Sequence, residues 1–370
     1  MRILLVGEYS GVHTNLKVGL EKLGAEVLLV SEGDVWKKFD SDIRLYYPED
    51  KRWKQIYNRR MIRKCCEWAK KADIVQFINP SCLYFVNSDL AKYVFRLMDN
   101  AAVSVTVLAG CDCNMAKYFE NLLPCICPAC EKEYARWHSQ CPYKGDRQYQ
   151  EYERRFYERV DHIVPGEWDY YKIYYDHVQR YNHKMSRIIP FPVDCNSIRP
   201  VCKKGKKVVI HSPLNRACKG ITVVQKAFKK LEKTYDTKAE FQIRGHMPIK
   251  EYLRYLNDID VIVDGVKGYS YGLGMGSLMA MAKGKITVGV RELIDINDQN
   301  EWLANSPQID VGEGENGVIE AIGSVICSPQ KICELQKANR RYVRKYHNST
   351  CVANQYMSLY QQLLQNEIVG

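Results

Sequence analysis

Two series of short apolar segments, each alternating with segments of helical periodicity, predict an α/β protein with two doubly wound parallel sheets. A third observation separates the two series. The segment Ile189–Pro200 (IPFPVDCNSIRP) has three prolines and little periodicity, which is typical of a linker. At 370 residues the chain is long enough for two domains of ordinary size. We therefore expect two Rossmann-like domains facing a central cleft.

The first series begins with Arg2–Val6 (RILLV), a continuous apolar run expected of a strand buried on both faces. A glycine-containing turn and a helical segment closed by Gly24 lead into the strand Glu26–Val30. This order, β-turn-α-β, is the repeating unit of a parallel sheet. The series continues with predicted strands at Ile74–Phe77, Ser104–Leu108 and His162–Val164, and with predicted helices at Asn15–Leu23, Trp53–Lys71, Ser88–Met98 and Tyr149–Arg159.

The second series repeats this rhythm after the linker. Its predicted strands are Lys207–Ile210, Glu240–Arg244, Val261–Val263 and Ile286–Val290, and its predicted helices are Thr222–Lys233, Ile249–Asp258 and Ser277–Lys283. The tail Ser349–Gln365 is also helical in pattern and could pack back across the hinge. We thus predict an N-terminal domain at 1–190 with a cysteine-rich insertion at 111–141, a linker at 191–200, a second domain at 201–345 and a C-terminal helix at 346–370.

The composition, with 46% apolar and 26% charged residues, is that of a globular protein. No apolar run is long enough to span a bilayer, and the N-terminus (MRILLVGEYSG) lacks the pattern of a signal peptide. We therefore predict a cytoplasmic protein whose 15 cysteines are mostly reduced. The net charge of +11 favours an anionic partner, either a phosphate ligand, a membrane surface or a nucleic acid. Only the charge supports nucleic acid, since no nucleic-acid-binding motif accompanies it.

A glycine-rich loop enters an apolar helix at Tyr271–Gly284 (YGLGMGSLMAMAKG), just after the predicted strand Val261–Val263. Glycines at 272, 274 and 276 let the backbone approach a ligand closely, and the free amides of the first helical turn favour an anion. The alternative is that the glycines only allow tight packing between strand and helix.

Two cations follow the first strand of the same series. The segment His211–Ile221 (HSPLNRACKGI) places Arg216 and Lys219 three residues apart in a strand-to-helix turn. Because the carboxyl ends of parallel strands share one edge of a sheet, we expect this couple near the glycine-rich loop. Together they suit a pyrophosphate, for which arginine offers a planar fork and lysine a point charge. The alternative is two solvated surface cations, in a chain with 54 lysines and arginines.

Three segments in this order resemble the donor-binding half of the retaining glycosyltransferases of family 4: IPFPVD, HSPLNRACKG and GYSYGLGMGSLMAMAKGKITV. That family has the GT-B fold of two Rossmann-like domains. The first half is similar as well, since RILLVGEYSGVHTNLKVGLEKLGAEVLLVSEGD resembles the family's opening βαβ unit and SVTVLAGCDCN resembles a strand ending in a His-Gly-x-Asp element. The resemblance covers nearly the whole chain except Asp112–Tyr149.

The resemblance implies that a sugar moves, with retention, from a nucleotide-diphosphate sugar to a hydroxyl of a carbohydrate or lipid-linked acceptor. This would serve surface polysaccharide or glycolipid synthesis at the inner face of the membrane. No metal is required, because cations and helix N-termini can neutralise the departing diphosphate. The implied donor-binding residues are Arg216, Lys219, Gly274, Met275, Gly276, Ser277 and Met279, and the acceptor-side residues are Gly11, His13 and Asp112, while no catalytic residue is identified. His13 is a candidate acceptor-side base, with a packed or surface histidine as the alternative.

Three positions depart from the family pattern. Tyr271 and Met279 stand where the family has two glutamates, and Ala109 stands where it has a histidine. A thioether is a poor acceptor for ribose hydroxyls, so the site either binds the donor weakly or uses other contacts. The candidates for compensation are Glu8, Glu292, Asp295 and Asp264. These departures are the evidence for the alternative hypothesis, a catalytically silent or partner-dependent relative that binds a nucleotide without transferring sugar; the glycosyltransferase stays the leading hypothesis.

Six cysteines fall within 31 residues, at positions 111, 113, 125, 127, 130 and 141. The core of this insertion, CICPAC, contains a Cys-x2-Cys turn of the kind that thiolate zinc sites use. One hypothesis is a structural zinc held by Cys125, Cys127, Cys130 and Cys141. The alternatives are reduced, partly buried cysteines and a redox role.

The segment Lys51–Lys71 combines nine lysines and arginines with apolar residues at helical spacing. One interpretation is an interfacial helix that docks on anionic lipid, which would make the protein a peripheral membrane protein. The other is an amphipathic helix whose apolar stripe packs on the sheet. The sequence favours packing, because the segment leads directly into the predicted strand Ile74–Phe77.

Overall fold

The computed structural model describes residues 1–47, 51–122, 142–201, 205, 207–213, 220–267, 273–291 and 301–369. The chain divides into two compact units. The first comprises Met1–Lys117, Cys141–Asp194 and Asn348–Gly370, and the second is built on Cys195–His347. The division after Asp194 falls inside the proline-rich segment, and the chain returns to the first unit after His347.

The first unit contains a six-stranded sheet in which every pair of neighbours is parallel. Its strands are β1 (Arg2–Val6), β2 (Glu26–Ser31), β3 (Ile43–Arg44), β4 (Ile74–Phe77), β5 (Val103–Leu108) and β6 (His162–Pro165). Their spatial order is β3-β2-β1-β4-β5-β6, the order of a Rossmann sheet. Successive strands are added on one side of β1 up to β3 and on its other side from β4 onwards, so the topological switch point lies between β1 and β4. The connecting helices are α1 (Val12–Lys22), α2 (Arg52–Ala69), α3 (Ser81–Tyr84), α4 (Ala91–Asn100), α5 (Cys113–Leu122), α6 (Pro142–Gly145), α7 (Arg147–Arg159) and α8 (Trp168–His177).

The second unit contains a five-stranded parallel sheet. Its strands are β7 (Val208–Pro213), β8 (Ala239–Arg244), β9 (Val261–Val263), β10 (Ile286–Gly289) and β11 (Ile309–Asp310). Their spatial order is β11-β10-β9-β7-β8, so the topological switch point of this sheet lies between β7 and β9. Its helices are α9 (Ile221–Tyr235), α10 (Ile249–Tyr255), α11 (Met275–Ala282), α12 (Glu301–Ala304), α13 (Gly314–Ile326) and α14 (Ile332–Tyr346).

A last helix, α15 (Ser349–Val369), completes the first unit by packing on α1. Its inner face is buried and includes Tyr356 and Tyr360. The Tyr360 hydroxyl donates to Oε1 of Gln76 at 2.6 Å, which ties the helix to strand β4. At Gly19 of α1 the two helices come so close that an added Cβ would lie 2.1 Å from the Ser349 carbonyl oxygen.

Arg340 on α14 holds the start of the second unit in place. Its guanidinium donates to the carbonyl oxygens of Cys195 at 2.7 Å and Ile198 at 3.0 Å, and also to that of Ala282. These carbonyls belong to the segment that enters the unit and to the end of α11. One side chain therefore satisfies three backbone acceptors from two parts of the chain.

Every strand predicted from the sequence is present, and the prediction of two doubly wound parallel α/β sheets is confirmed. Strands β3 and β11 have no counterpart among the predicted strands, because they have two residues each and are too short to show a period. It also placed the starts of several helices too late. Helix α11, for example, begins at Met275 rather than Ser277.

Candidate functional site

Gly274 and the start of α11 lie at the carboxyl end of β9, since Asp264, which follows β9, contacts Ser277. The N-cap residue, Gly274, has an extended backbone (φ −64°, ψ 158°) that any residue adopts. An added Cβ at Gly276 would come no closer than 3.6 Å to a described neighbour, the nearest being Asp264 and Tyr252. Among the described residues, tight packing therefore does not require glycine at 276, which weakens the packing alternative at that position.

An internal carboxylate already occupies part of the first turn of α11. Oδ2 of Asp264, one residue beyond β9, accepts from the Ser277 hydroxyl at 2.9 Å and from the Ser277 amide at 3.3 Å. The amides of Met275 and Gly276 have no acceptor within the described part of the chain. Because Asp264 brings a negative charge to the helix N-terminus, it partly offsets the dipole that would attract a phosphate. Of the four candidates for compensation, Asp264 is the one found beside this helix, whereas Glu292 and Asp295 lie outside the described residues.

The other predicted donor-site residues are only partly covered by the structure. Met275, Ser277 and Met279 are buried, with Met279 4% exposed. Arg216, Lys219 and Tyr271 lie outside the described residues, so their place at this edge stays a prediction.

The first strand of this unit also carries a buried histidine, His211, five residues before Arg216 in the sequence. Its Nδ1 lies 3.2 Å from the hydroxyl of Tyr255, which donates to Gln242 at 2.6 Å. Burial lowers the pKa of His211 to about 4, so the ring is neutral at pH 7.

On the first sheet, the predicted acceptor-side glycine begins α1. Gly11 has a φ of 91°, and an added Cβ would lie 2.6 Å from the Phe39 ring, so both conformation and space require glycine. The Gly11 amide donates to Oε1 of Glu8 at 2.8 Å, and the Thr14 amide donates to Oε2 of Glu8 at 2.7 Å. Burial raises the pKa of Glu8 to about 7. Glu8 is therefore engaged as a cap of α1, a role distinct from compensation at the donor site.

His13 is buried, with both ring nitrogens engaged. Nδ1 donates to the Gly7 carbonyl oxygen at 2.9 Å. Nε2 accepts from the side-chain amide of Gln76 at 3.2 Å, an orientation fixed by the Tyr360 hydroxyl on the other end of that amide. Burial lowers the pKa of His13 to about 3. This geometry favours the packed-histidine alternative over the acceptor-side base, since neither nitrogen is open to a substrate.

Asp112 is likewise part of the framework. Its Oδ1 accepts from the Met115 amide at 2.7 Å and caps α5, and its Oδ2 accepts from the hydroxyls of Tyr157 at 2.8 Å and Tyr174 at 2.7 Å. Burial raises the pKa of Asp112. Burial, with the nearby charge of Asp112, also raises the pKa of Glu153 to about 8. Asp112 therefore positions the loop after β5 and has few lone pairs left for an acceptor.

Sequence reasoning missed Glu32, which follows β2 at the carboxyl edge of the first sheet. Its side chain is buried, the Tyr47 hydroxyl donates to Oε1 at 3.3 Å, and Oε2 has no hydrogen-bond partner among the described residues. Burial raises the pKa of Glu32 to about 7, and the charges of Asp34 and Glu8 add to this shift. The signal was available, since the segment SEGD places an acid directly after an apolar strand.

Replacing Glu32 by glutamine is expected to flatten the dependence of stability on pH. A carboxyl whose folded pKa of about 7 exceeds its ordinary 4.5 contributes stability that is present below pH 4.5 and is lost as the pH rises through 7. Between pH 5 and pH 8 the wild type should therefore lose about 2 kcal/mol more unfolding free energy than Glu32→Gln. Denaturant unfolding at several pH values measures this. Glu26→Gln, an exposed position on β2, is the control, and superimposable profiles for wild type and Glu32→Gln would contradict the assignment.

The proposed zinc ligands Cys125, Cys127, Cys130 and Cys141 lie outside the described residues, so the zinc hypothesis stays a prediction. Within the described ranges, His, Cys, Asp and Glu residues do not assemble into a group of three or more that could hold a metal ion. In the same part of the chain, no helix is both long enough and apolar enough to cross a bilayer.

No protein-family model and no curated protein sequence matches the chain, but many solved structures do. Sucrose-phosphate synthase from Thermosynechococcus elongatus superimposes with a TM-score of 0.62 at 14% identity, covering 99% of this chain and 100% of that chain. HepE from Anabaena, solved with UDP-glucose, gives 0.60 at 10% identity, covering 98% and 100%. A proposed UDP-N-acetylglucosamine 2-epimerase from Listeria monocytogenes gives 0.56 at 11% identity, covering 99% and 96%.

Identities this low establish a shared fold and leave the activity open. The likeness extends over the whole length of both partners, so it includes both Rossmann-like domains. The chain therefore has the GT-B fold of these neighbours, as the sequence predicts.

Proposed function

We propose that the protein is a glycosyltransferase that moves a sugar from a nucleotide-diphosphate sugar to a hydroxyl acceptor. The observation that carries the proposal is the start of α11, at the carboxyl edge of the second sheet of a GT-B fold. There Met275 and Gly276 present amides without an acceptor in the described part of the chain. Such amides are suited to a phosphate oxygen. The HepE structure, which contains UDP-glucose, supports the nucleotide-sugar class of donor.

The reaction would break the bond between the anomeric carbon and a diphosphate oxygen and form one to the acceptor oxygen, which loses its proton. Negative charge develops on the departing diphosphate, so neutralising that charge is the main demand on the protein. The Asp264 carboxylate already interacts with the positive end of the α11 dipole. In the proposal, Arg216 and Lys219 therefore neutralise most of the charge on the diphosphate. In the proposal they hold the diphosphate, and the backbone of 274–277 contacts its distal phosphate.

The finer parts of the proposal come from the family resemblance. They are a hexosyl group as the sugar, retention of configuration, and a role in surface polysaccharide or glycolipid synthesis. The proposed place of action is the cytoplasm, at the inner face of a membrane that carries the acceptor. A structural zinc in the cysteine-rich insertion is a separate proposal that the transfer reaction does not need.

Removing both predicted diphosphate ligands is expected to abolish nucleotide binding. UDP, GDP or CDP, or one of their sugars, should raise the melting temperature of the wild type, and Arg216→Ala with Lys219→Ala should eliminate that rise. Differential scanning fluorimetry measures both. The matched control is Lys226→Ala with Lys229→Ala on α9, which removes the same charge from exposed positions and should keep the rise. A double variant stabilised as strongly as the wild type would contradict the proposed site.

A second candidate function is a nucleotide-binding relative that transfers no sugar. It is favoured by Met279, a buried thioether where the family has a glutamate. Release of nucleoside diphosphate from a stabilising donor, with and without added acceptor sugars, distinguishes the two functions. Stabilisation without release in any arm would favour the silent relative.

A further inference from the structure

Helix α2 has two faces that the sequence alone could not separate. The face packed against the first unit carries the buried residues of the helix, which are Asn58, Ile62, Cys65, Cys66 and Ala69. At 100° per residue, a second set of residues falls within about 80° of arc on the opposite side, an arc that also includes the exposed acid Glu67 near the end of the helix. We name this set the outer stripe of α2, and it consists of Trp53, Ile56, Arg60 and Lys64.

The outer stripe carries apolar surface that the described part of the chain leaves more than half exposed. Trp53 is 56% exposed and Ile56 is 60% exposed, among the few large apolar side chains at the surface of the described residues. Both lie in the first two turns of α2. The helix is therefore amphipathic, as the packing interpretation requires, and it packs against α4, while Trp53 and Ile56 stay exposed.

The charges on α2 are nearly all positive. The helix carries six lysines and arginines and one acid, Glu67, whose carboxylate is paired with Lys70 at 2.7 Å. Arg60 and Lys64 continue the stripe from the apolar pair, and both are exposed without an ion-pair partner in the described part of the chain. Arg59, at the flank, is already paired with Asp89. The outer stripe thus places an apolar pair beside two cations, with Glu67 as the one acid of the helix on the same side.

We infer that the outer stripe docks on the surface of an anionic lipid bilayer. Tryptophan partitions to the interface between headgroups and acyl chains, isoleucine inserts beside it, and arginine and lysine pair with anionic headgroups. A nucleic acid would need the cations but would gain little from an exposed isoleucine. A protein partner would require a wider apolar patch than two side chains. No residue of the outer stripe belongs to the donor site, so binding to lipid can be tested separately from the proposed function.

The test is co-sedimentation of the full chain with vesicles of phosphatidylcholine containing one third phosphatidylglycerol, compared with vesicles of phosphatidylcholine alone. The wild type is expected to bind the anionic vesicles, less tightly as salt is added. Trp53→Ser with Ile56→Ser, and separately Arg60→Glu with Lys64→Glu, should each weaken this binding about tenfold.

Two matched controls accompany these variants. Tyr175→Ser removes an apolar side chain that is 50% exposed on α8, and Lys226→Glu with Lys229→Glu makes the same charge change on exposed positions of α9. Both should bind like the wild type, and all variants should keep the wild-type melting temperature and response to nucleotide.

Three outcomes would overturn the inference. One is wild-type protein that binds neutral and anionic vesicles equally or not at all. Another is that both outer-stripe variants bind the anionic vesicles as tightly as the wild type does. The third is loss of binding in the charge variant alone, which would indicate a polyanion surface rather than a bilayer. Weaker vesicle binding by both outer-stripe variants, with unchanged binding by both control variants, supports the inference.

Discussion

Replacing Arg340 by alanine is expected to lower the unfolding free energy of the second unit by about 3–4 kcal/mol. The guanidinium donates to three backbone carbonyls, those of Cys195, Ile198 and Ala282. Alanine cannot reach any of them. A partly buried acceptor that loses its donor costs about 1–3 kcal/mol, and water can recover part of this at the exposed side.

The measurement is denaturant unfolding followed by circular dichroism, with the change taken from the transition midpoint. Arg341→Ala is the control, because Arg341 is the next residue on α14 and is exposed. It should change the stability by less than about 0.5 kcal/mol. Equal losses for the two variants would show that the carbonyl contacts of Arg340 contribute nothing specific.

Replacing Gly19 by alanine should destabilise the first unit by about 2–3 kcal/mol, although alanine is the better helix former. The added Cβ would lie 2.1 Å from the Ser349 carbonyl oxygen and 2.7 Å from the Ala353 Cβ. Real Cβ atoms do not approach backbone this closely, so α1 and α15 must separate. Separation exposes part of the buried face of α15, which includes Tyr356 and Tyr360.

The control for Gly19 is another glycine inside a helix. At Gly323 of α13 an added Cβ would meet only the Tyr235 hydroxyl among the described neighbours, at an ordinary 3.6 Å. Gly323→Ala should therefore be neutral or stabilising by up to about 1 kcal/mol. Thermal unfolding compares the two, and limited proteolysis reports release of α15. If Gly19→Ala melts no lower than Gly323→Ala, the close approach of the helices is wrong.

The sequence predicts the strands well because a parallel strand covered on both faces is a continuous apolar run. Ile74–Phe77 and Val261–Val263 have the same bounds in prediction and structure. Helix starts are harder, because they depend on side chains outside the helix. The start of α11 is set by Asp264, thirteen residues before Ser277, and no period in the sequence reveals that contact.

The roles of the candidate site residues are also hard to predict from sequence, because they depend on contacts between distant parts of the chain. His13 in a glycine turn looks like a base until its partners are known, and those come from distant parts of the chain. Gln76 is 63 residues away, and the hydroxyl that orients it belongs to Tyr360. Burial and pKa depend on such long-range contacts, whereas a sequence motif reports only what lies close along the chain. The position of Glu32 directly after an apolar strand is visible in the sequence, but only the fold shows that its carboxyl is buried.

The return of the chain for α15 makes the second unit an insertion within the first. A fragment ending at Asp194 would leave α1 without the partner that covers Gly19, so it should be prone to aggregate. The two ends of the first unit nevertheless meet, because the Ser349 amide donates to the Val193 carbonyl oxygen at 2.9 Å. A shortened protein in which residue 194 is joined to residue 348 by a short glycine linker should therefore fold without the second unit.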